Sequence, residues 1–237
     1  MTHSIITQNA MHVSLIHISL KDTWKQHQII IIMAESYLRE RGENMHKLII
    51  LCGKSSSGKD TVMRKLVSKG FKPAISYTTR PMRPKEKNHV DYHFVKRETF
   101  LKLLNNDGLV EYREYDTVAG KWYYGLGKSE IDLFDHDYVT IKDLKGVREL
   151  TDYFGKENCI VFYISASKYV RTQRAMSRGG FNQEEWDRRL KADNYDFRDS
   201  EVNKYCDIKL ENMGDVNITV KKILNYVKLW NVEGEDK

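Results

Sequence analysis

The chain has 237 residues with 39 Lys and Arg against 33 Asp and Glu, a formal net charge of +6, and 41% hydrophobic residues. That length suits one sizeable α/β domain with a real core and a short appendage. Three scattered cysteines, Cys52, Cys159 and Cys206, exclude a disulfide framework or a zinc site, and no stretch approaches the roughly 18–20 apolar residues of a membrane span.

The first residues lack the basic start of a signal peptide, so a reducing cytoplasm is the expected compartment and no membrane partner is expected. Residues 1–45 scatter His3, His12, His17 and His27 among polar residues and short Ile runs. They read as a poorly ordered tail or a loosely docked helix, with Met45 a second candidate start. From there on the pattern alternates. Residues 47–52 form an apolar run that ends in a Gly-rich turn, which predicts a buried strand, and 60–69 then show helical spacing. Further strands are predicted at 74–77, 92–95, 109–115, 138–141, 159–165 and 206–210. Helices are predicted at 97–106, 128–134, 145–154, 168–177, 183–197 and 215–229. Strands separated by helices imply βαβ units and a mainly parallel sheet. The short strands clustered between 74 and 124 break that rhythm and predict a small inserted subdomain.

The segment Gly53, Lys54, Ser55, Ser56, Ser57, Gly58, Lys59, Asp60, Thr61 follows a strand and opens a helix, the setting in which a Gly-rich string cradles phosphate. Gly53 and Gly58 permit backbone angles that turn successive N–H groups into one anion pocket. The helix start adds its positive end, and Lys59 supplies a mobile charge for the outer phosphates. The usual pattern places Ser or Thr directly after the lysine to bind magnesium, whereas this chain has Asp60. Thr61 could supply the hydroxyl instead, or the Asp60 carboxylate could approach the metal directly or through water.

Downstream, Arg80 and Arg83 sit three residues apart on a loop stiffened by Pro81 and Pro84. Two guanidinium forks so placed can close on a phosphate, with Tyr92 adding a hydroxyl. Arg171, Arg174 and Arg178 fall on one helical face, with Arg188 and Arg189 further on. Gly179 and Gly180 would make a flexible joint beside them. The net positive charge also suits nucleic acid, but no base-stacking motif accompanies it, so none is expected as a partner.

Together with the phosphate loop, the string Ser76-Tyr77-Thr78-Thr79-Arg80-Pro81-Met82-Arg83-Pro84-Lys85-Glu86, then Asp91-Tyr92-His93-Phe94-Val95, resembles the guanylate kinase family across roughly residues 46–230. The resemblance implies a P-loop three-layer α/β/α fold with a mainly parallel sheet, a mixed-strand nucleoside-monophosphate-binding insertion and a helical lid. Its expected limits are a core at 46–73 and 127–237, an insertion at about 74–126 and a lid at about 174–200. It implies transfer of the γ-phosphate of ATP to GMP or dGMP with magnesium, by a monomer or a homodimer. By the same resemblance Arg80, Arg83, Tyr92 and Tyr124 hold the GMP phosphate, and Ser76 and Glu111 read the base. Asp143 lies near acceptor and metal, and Arg174, Arg178 and Arg189 are lid arginines. Guanine presents N1–H and its amino group side by side, which a carboxylate such as Glu111 can accept together.

The chain departs from the family pattern in two places. Leu126 follows Tyr123-Tyr124-Gly125 where a serine is usual, and Thr140-Ile141-Lys142-Asp143 stands where Leu-Asp-Ile-Asp is usual, so one aspartate of the pair is gone, with Lys145 in place of the Gln that follows. A related kinase with another acceptor, a different mononucleotide or a ribose bisphosphate, is therefore a second reading. A non-catalytic guanylate-kinase-like binding module is a third.

Overall fold

The computed structural model describes residues 23–40, 45–83, 86–117, 120–177 and 180–233. Ahead of the sheet, α1 (Thr23–Glu40) buries Ile31 in the core, and its Gln28 side chain donates to the carbonyls of Asp152 and Tyr153 at 3.0 and 2.7 Å.

β1 (Leu48–Cys52) is buried at all five positions. Successive side chains point to opposite faces of a strand, and this one divides accordingly. Leu48, Ile50 and Cys52 join one core with Val147, Leu150 and Phe154, while Ile49 and Leu51 join the other with Val62, Leu66 and Ile223. A strand covered by helices on both faces needs a continuous apolar run, which is what the sequence shows there. The phosphate loop leads into α2 (Lys59–Val67), then β2 (Lys72–Pro73), β3 (Tyr77–Thr78), β4 (His93–Phe94) and α3 (Arg97–Asn105). The hairpin of β5 (Leu109–Thr117) and β6 (Gly120–Gly127) follows, then β7 (Tyr138–Ile141), α4 (Leu144–Phe154) and β8 (Cys159–Ser165). The chain closes with α5 (Lys168–Ser177), α6 (Gln183–Asp196), α7 (Asp199–Tyr205), β9 (Ile208–Glu211) and α8 (Val216–Glu233).

The central sheet runs β2-β7-β1-β8-β9 with every pair parallel. The second, β4-β3-β6-β5, is mixed: β3 pairs parallel with β4 and antiparallel with β6. After β1 the chain winds to one side through β2 and β7, then returns to the other through β8 and β9. Its reversal point lies at the carboxyl end of β1, where open α/β sheets hold their ligands.

Four local expectations change. The strand expected at 74–77 is a crossing: the Ala74 amide still bonds Val139 of the central sheet at 3.0 Å, whereas Tyr77 already pairs in the second sheet. β6 has no counterpart among the expected strands, because Gly120, Gly125 and Gly127 mask its strand character. The helix expected at 128–134 shrinks to one 3-10 turn, Lys128–Glu130. Beyond it the Asp132 carboxylate accepts the Phe134 amide at 3.0 Å, a local bond that competes with helix, and Ile131 and Leu133 turn into the core. The helix expected at 183–197 stops at Asp196, and α7 follows as a separate element.

Candidate active site

The donor side is built at the carboxyl end of β1. Gly53 and Gly58 have φ of 142° and 97°, and Ser56 also takes a positive φ. Neither glycine could carry a side chain: a Cβ on Gly53 would lie 2.2 Å from the Ile164 carbonyl oxygen, and one on Gly58 2.3 Å from Asn212 Nδ2. Lys59 curls over the loop and donates from Nζ to the carbonyls of Gly53 and Lys54 at 2.6 and 3.0 Å. The Ser57 hydroxyl is buried with no hydrogen-bond partner among the described residues. Asp60 and Thr61 stand exposed on the first turn of α2.

Helices from far along the chain fasten this loop from outside. Asp193, on α6, accepts the Ser55 amide at 2.9–3.0 Å and the Ser55 hydroxyl at 3.0 Å, and pairs with buried Arg171 of α5 at 2.8 Å. Arg174 donates to the carbonyls of Ser57 and Asn212 at 3.0 and 2.7 Å, and Asn212 donates to the same Ser57 carbonyl at 2.8 Å. Lys54 reaches Asn194 at 2.9 Å. Arg174 therefore braces the phosphate loop itself in this conformation. Arg189 pairs with Glu185 at 2.7 Å, on the solvent side of α6, and Arg178 lies outside the described residues. Glu185 accepts from Arg188 as well, and that hydrogen bond, aided by Arg189 against some burial, holds its carboxyl down at about 2.

The acceptor side lies on the second sheet and its loops. Arg80 is buried, and its fork donates to both Glu86 oxygens at 2.8 and 2.9 Å. Burial disfavours the Arg80 charge, but Glu86 and Tyr124 outweigh it and its pKa is raised. The rings of Tyr92 and Phe94 flank the guanidinium. Arg83 is exposed, with its amide donating to Glu86 at 2.8 Å. A carboxylate thus occupies Arg80 where an anion of similar geometry would sit. Tyr92 packs edge-on against Tyr124, and burial, with Tyr124 and the Asp60 carboxylate adding to it, pushes its hydroxyl up to about 12. The influence of Asp60 brings the first turn of α2 into electrostatic range of the acceptor loop.

Deeper in, Glu111 and Ser76 meet at one cation: Lys142 Nζ donates to Glu111 Oε1 at 2.6 Å and to Ser76 Oγ at 2.9 Å. Asp143, the next residue, caps α4 by accepting the Gly146 amide at 2.7 Å and takes both arms of Arg113 at 3.0–3.1 Å. Burial pushes its carboxyl up, but Arg113 and the Gly146 amide outweigh that and leave it lowered. A cleft of about 470 Å³ opens on the Arg113 and Asp143 side of this cluster, lined also by Tyr115, Arg148, Tyr195 and Asp196. Lys142, Arg113 and Asp193 were not among the residues expected to act. The lysine was legible only as a departure from pattern, and nothing local marks an aspartate inside a polar helix.

The guanylate kinase family model matches residues 45–228. A guanylate kinase from Prochlorococcus marinus subsp. pastoris is 31% identical over 191 residues, covering 78% of this chain and 99% of the relative. One from Neisseria meningitidis serogroup B is 30% identical over 158 residues, covering 65% and 75%. A crystal structure of guanylate kinase from Anaplasma phagocytophilum shares the fold, with a TM-score of 0.58 at 24% identity over 78% of this chain and 86% of that one.

Proposed function

The chain belongs to the guanylate kinase family, and on that footing we propose that it transfers the γ-phosphate of ATP to GMP or dGMP, giving ADP and the nucleoside diphosphate. The observation that carries this reading is a pair of anion sites, linked by the effect of Asp60, on the helix of the first, on Tyr92 of the second. One is a backbone nest with Lys59 over its mouth, and the other a buried guanidinium whose fork already grips a carboxylate. We assign the core to 46–73 and 127–237, the acceptor insertion to about 74–126 and the lid to about 174–200.

In the transfer an oxygen of the acceptor phosphate bonds to the γ-phosphorus of ATP while the bond to the β–γ bridging oxygen breaks and ADP leaves. Such a step needs positioning and positive charge more than covalent help. Lys59 gives up the Gly53 and Lys54 carbonyls for the outer phosphates, joined by the buried Ser57 hydroxyl. Arg80 and Arg83 exchange Glu86 for the acceptor phosphate. Tyr92, with its pKa pushed up, stays protonated and donates beside Tyr124. Ser76 and Glu111 hold the base. Arg174, Arg178 and Arg189 supply charge from the lid side, Arg189 after release from Glu185.

The family uses ATP and generally magnesium. The exposed oxygens of Asp60 and Thr61 fit that ion, which takes one or two side chains plus phosphate oxygens rather than a protein cage. No cluster of three or more metal-ligating His, Cys, Asp or Glu side chains occurs among the described residues. Held by Asp60 and Thr61, magnesium would supply positive charge to offset the charge developing on the phosphates. No helix of the described residues is long and apolar enough to cross a membrane. The three free thiols suit a reducing cytoplasm.

An ADP-release assay over ribo- and deoxymononucleotides tests the reading. GMP and dGMP should turn over far faster than AMP, CMP or UMP, and Lys59→Ala should abolish every activity, by about 1,000-fold or more. Equal rates across the panel would remove the guanine assignment. Silence with every acceptor would favour a binding module.

A further inference from the structure

The base pocket holds a positive charge that the motifs do not require. Lys142 follows β7 directly, at the carboxyl edge of the central sheet, and only 7% of its side chain is exposed. Its ammonium bonds both residues assigned to the base, Glu111 at 2.6 Å and Ser76 at 2.9 Å. The other Glu111 oxygen lies 3.5 Å from Arg113 Nη1, and Arg113 is in turn held by Asp143 and Glu149. A carboxylate that is 5% exposed and satisfied only by ligand would demand two donors from a base, because leaving it unpaired is costly. Lys142 meets half of that demand beforehand and sets a donor beside the remaining acceptor.

We propose that Lys142 shifts base choice from the 2-amino group to the 6-oxo group. The pocket presents an ammonium donor next to a carboxylate acceptor, the complement of the O6 and N1–H of a 6-oxopurine. The inference rests on the reading of Glu111 as the base-contacting carboxylate. Hypoxanthine offers this pair as fully as guanine does. Adenine offers the reverse, an amino group at C6 and an unprotonated N1, and Ser76 pins the ammonium so that the order of donor and acceptor cannot invert. IMP is therefore an acceptor alongside GMP, and AMP is not.

Titration calorimetry of the full chain with GMP, IMP and AMP, run beside ADP release, tests this. The Kd for IMP should fall within about tenfold of that for GMP, with AMP weaker than both by more than that factor. Lys142→Met keeps the stem and removes the donor, and should widen the preference for GMP over IMP by about 10- to 100-fold. Lys142→Arg keeps the charge and should hold the original ratio. An IMP gap above about tenfold in the unaltered chain overturns the inference whether or not the variants fold, as does AMP binding as well as GMP. Tight GMP and IMP binding without ADP release would leave the inference standing and overturn phosphoryl transfer. Rapid turnover of GMP with IMP ignored would do the opposite.

Discussion

Replacing Asp193 by Ala would remove the acceptor of the Ser55 amide, of the Ser55 hydroxyl and of Arg171 in one step. The Arg171 side chain is 5% exposed and its Nε already lacks a partner among the described residues, so its charge would be left buried without a counter-charge, holding only the Ser55 carbonyl at 3.2 Å and the face of Trp186. Breaking such a pair costs about 3–5 kcal/mol. For a chain of this size each kcal/mol corresponds to roughly 2–4 °C in Tm, so differential scanning calorimetry should show a fall of about 6–20 °C. The KM for ATP should rise as well, since the loop loses the brace that holds it open. The double variant Arg171→Met with Asp193→Leu removes both charges and should recover most of the lost Tm, as buried pairs replaced by apolar groups often do. A fall below about 2 °C for Asp193→Ala would refute the reasoning, since it would equate this buried pair with an exposed one. A double variant that loses the sum of both single losses would refute it too.

Two further outcomes follow from the same geometry. Gly58→Ala places a methyl 2.3 Å from Asn212 Nδ2 at a φ of 97°; it should cost about 1–3 kcal/mol and weaken ATP binding, and an unchanged urea midpoint would contradict this. Asp143 has its folded pKa lowered from 3.8, so it stabilises above the ordinary carboxylate range, and the contribution is lost as pH falls through the folded value. Asp143→Asn retains a helix cap, so the Tm gap to the unaltered chain should be full near neutrality and close in acid, and a gap constant from neutrality to strong acid would contradict it.

How much was legible depended on distance along the chain. The parallel sheet could be read because each strand carries its own period and each βαβ unit its own punctuation, as in the apolar run ending at Cys52. The phosphate loop could be read because its glycines, lysine and helix start are consecutive. β6 escaped because its glycines serve close packing: a Cβ on Gly125 would lie 3.0 Å from both the Phe100 ring and the Glu111 carbonyl. The helix expected at 128–134 failed because Asp132 offers the backbone a local alternative and the core draws Ile131 and Leu133 inward.

By itself the sequence determined that the chain winds a mainly parallel sheet, opens it at a phosphate-binding turn and carries a basic acceptor loop. Those features follow from backbone preferences and spacings within a dozen residues. Tertiary structure alone decided which charges answer one another: Ser55 to Asp193 across 138 positions, and Glu111 to Lys142 across 31. A buried charge takes the partner that packing brings within about 3 Å, and no local pattern encodes that choice.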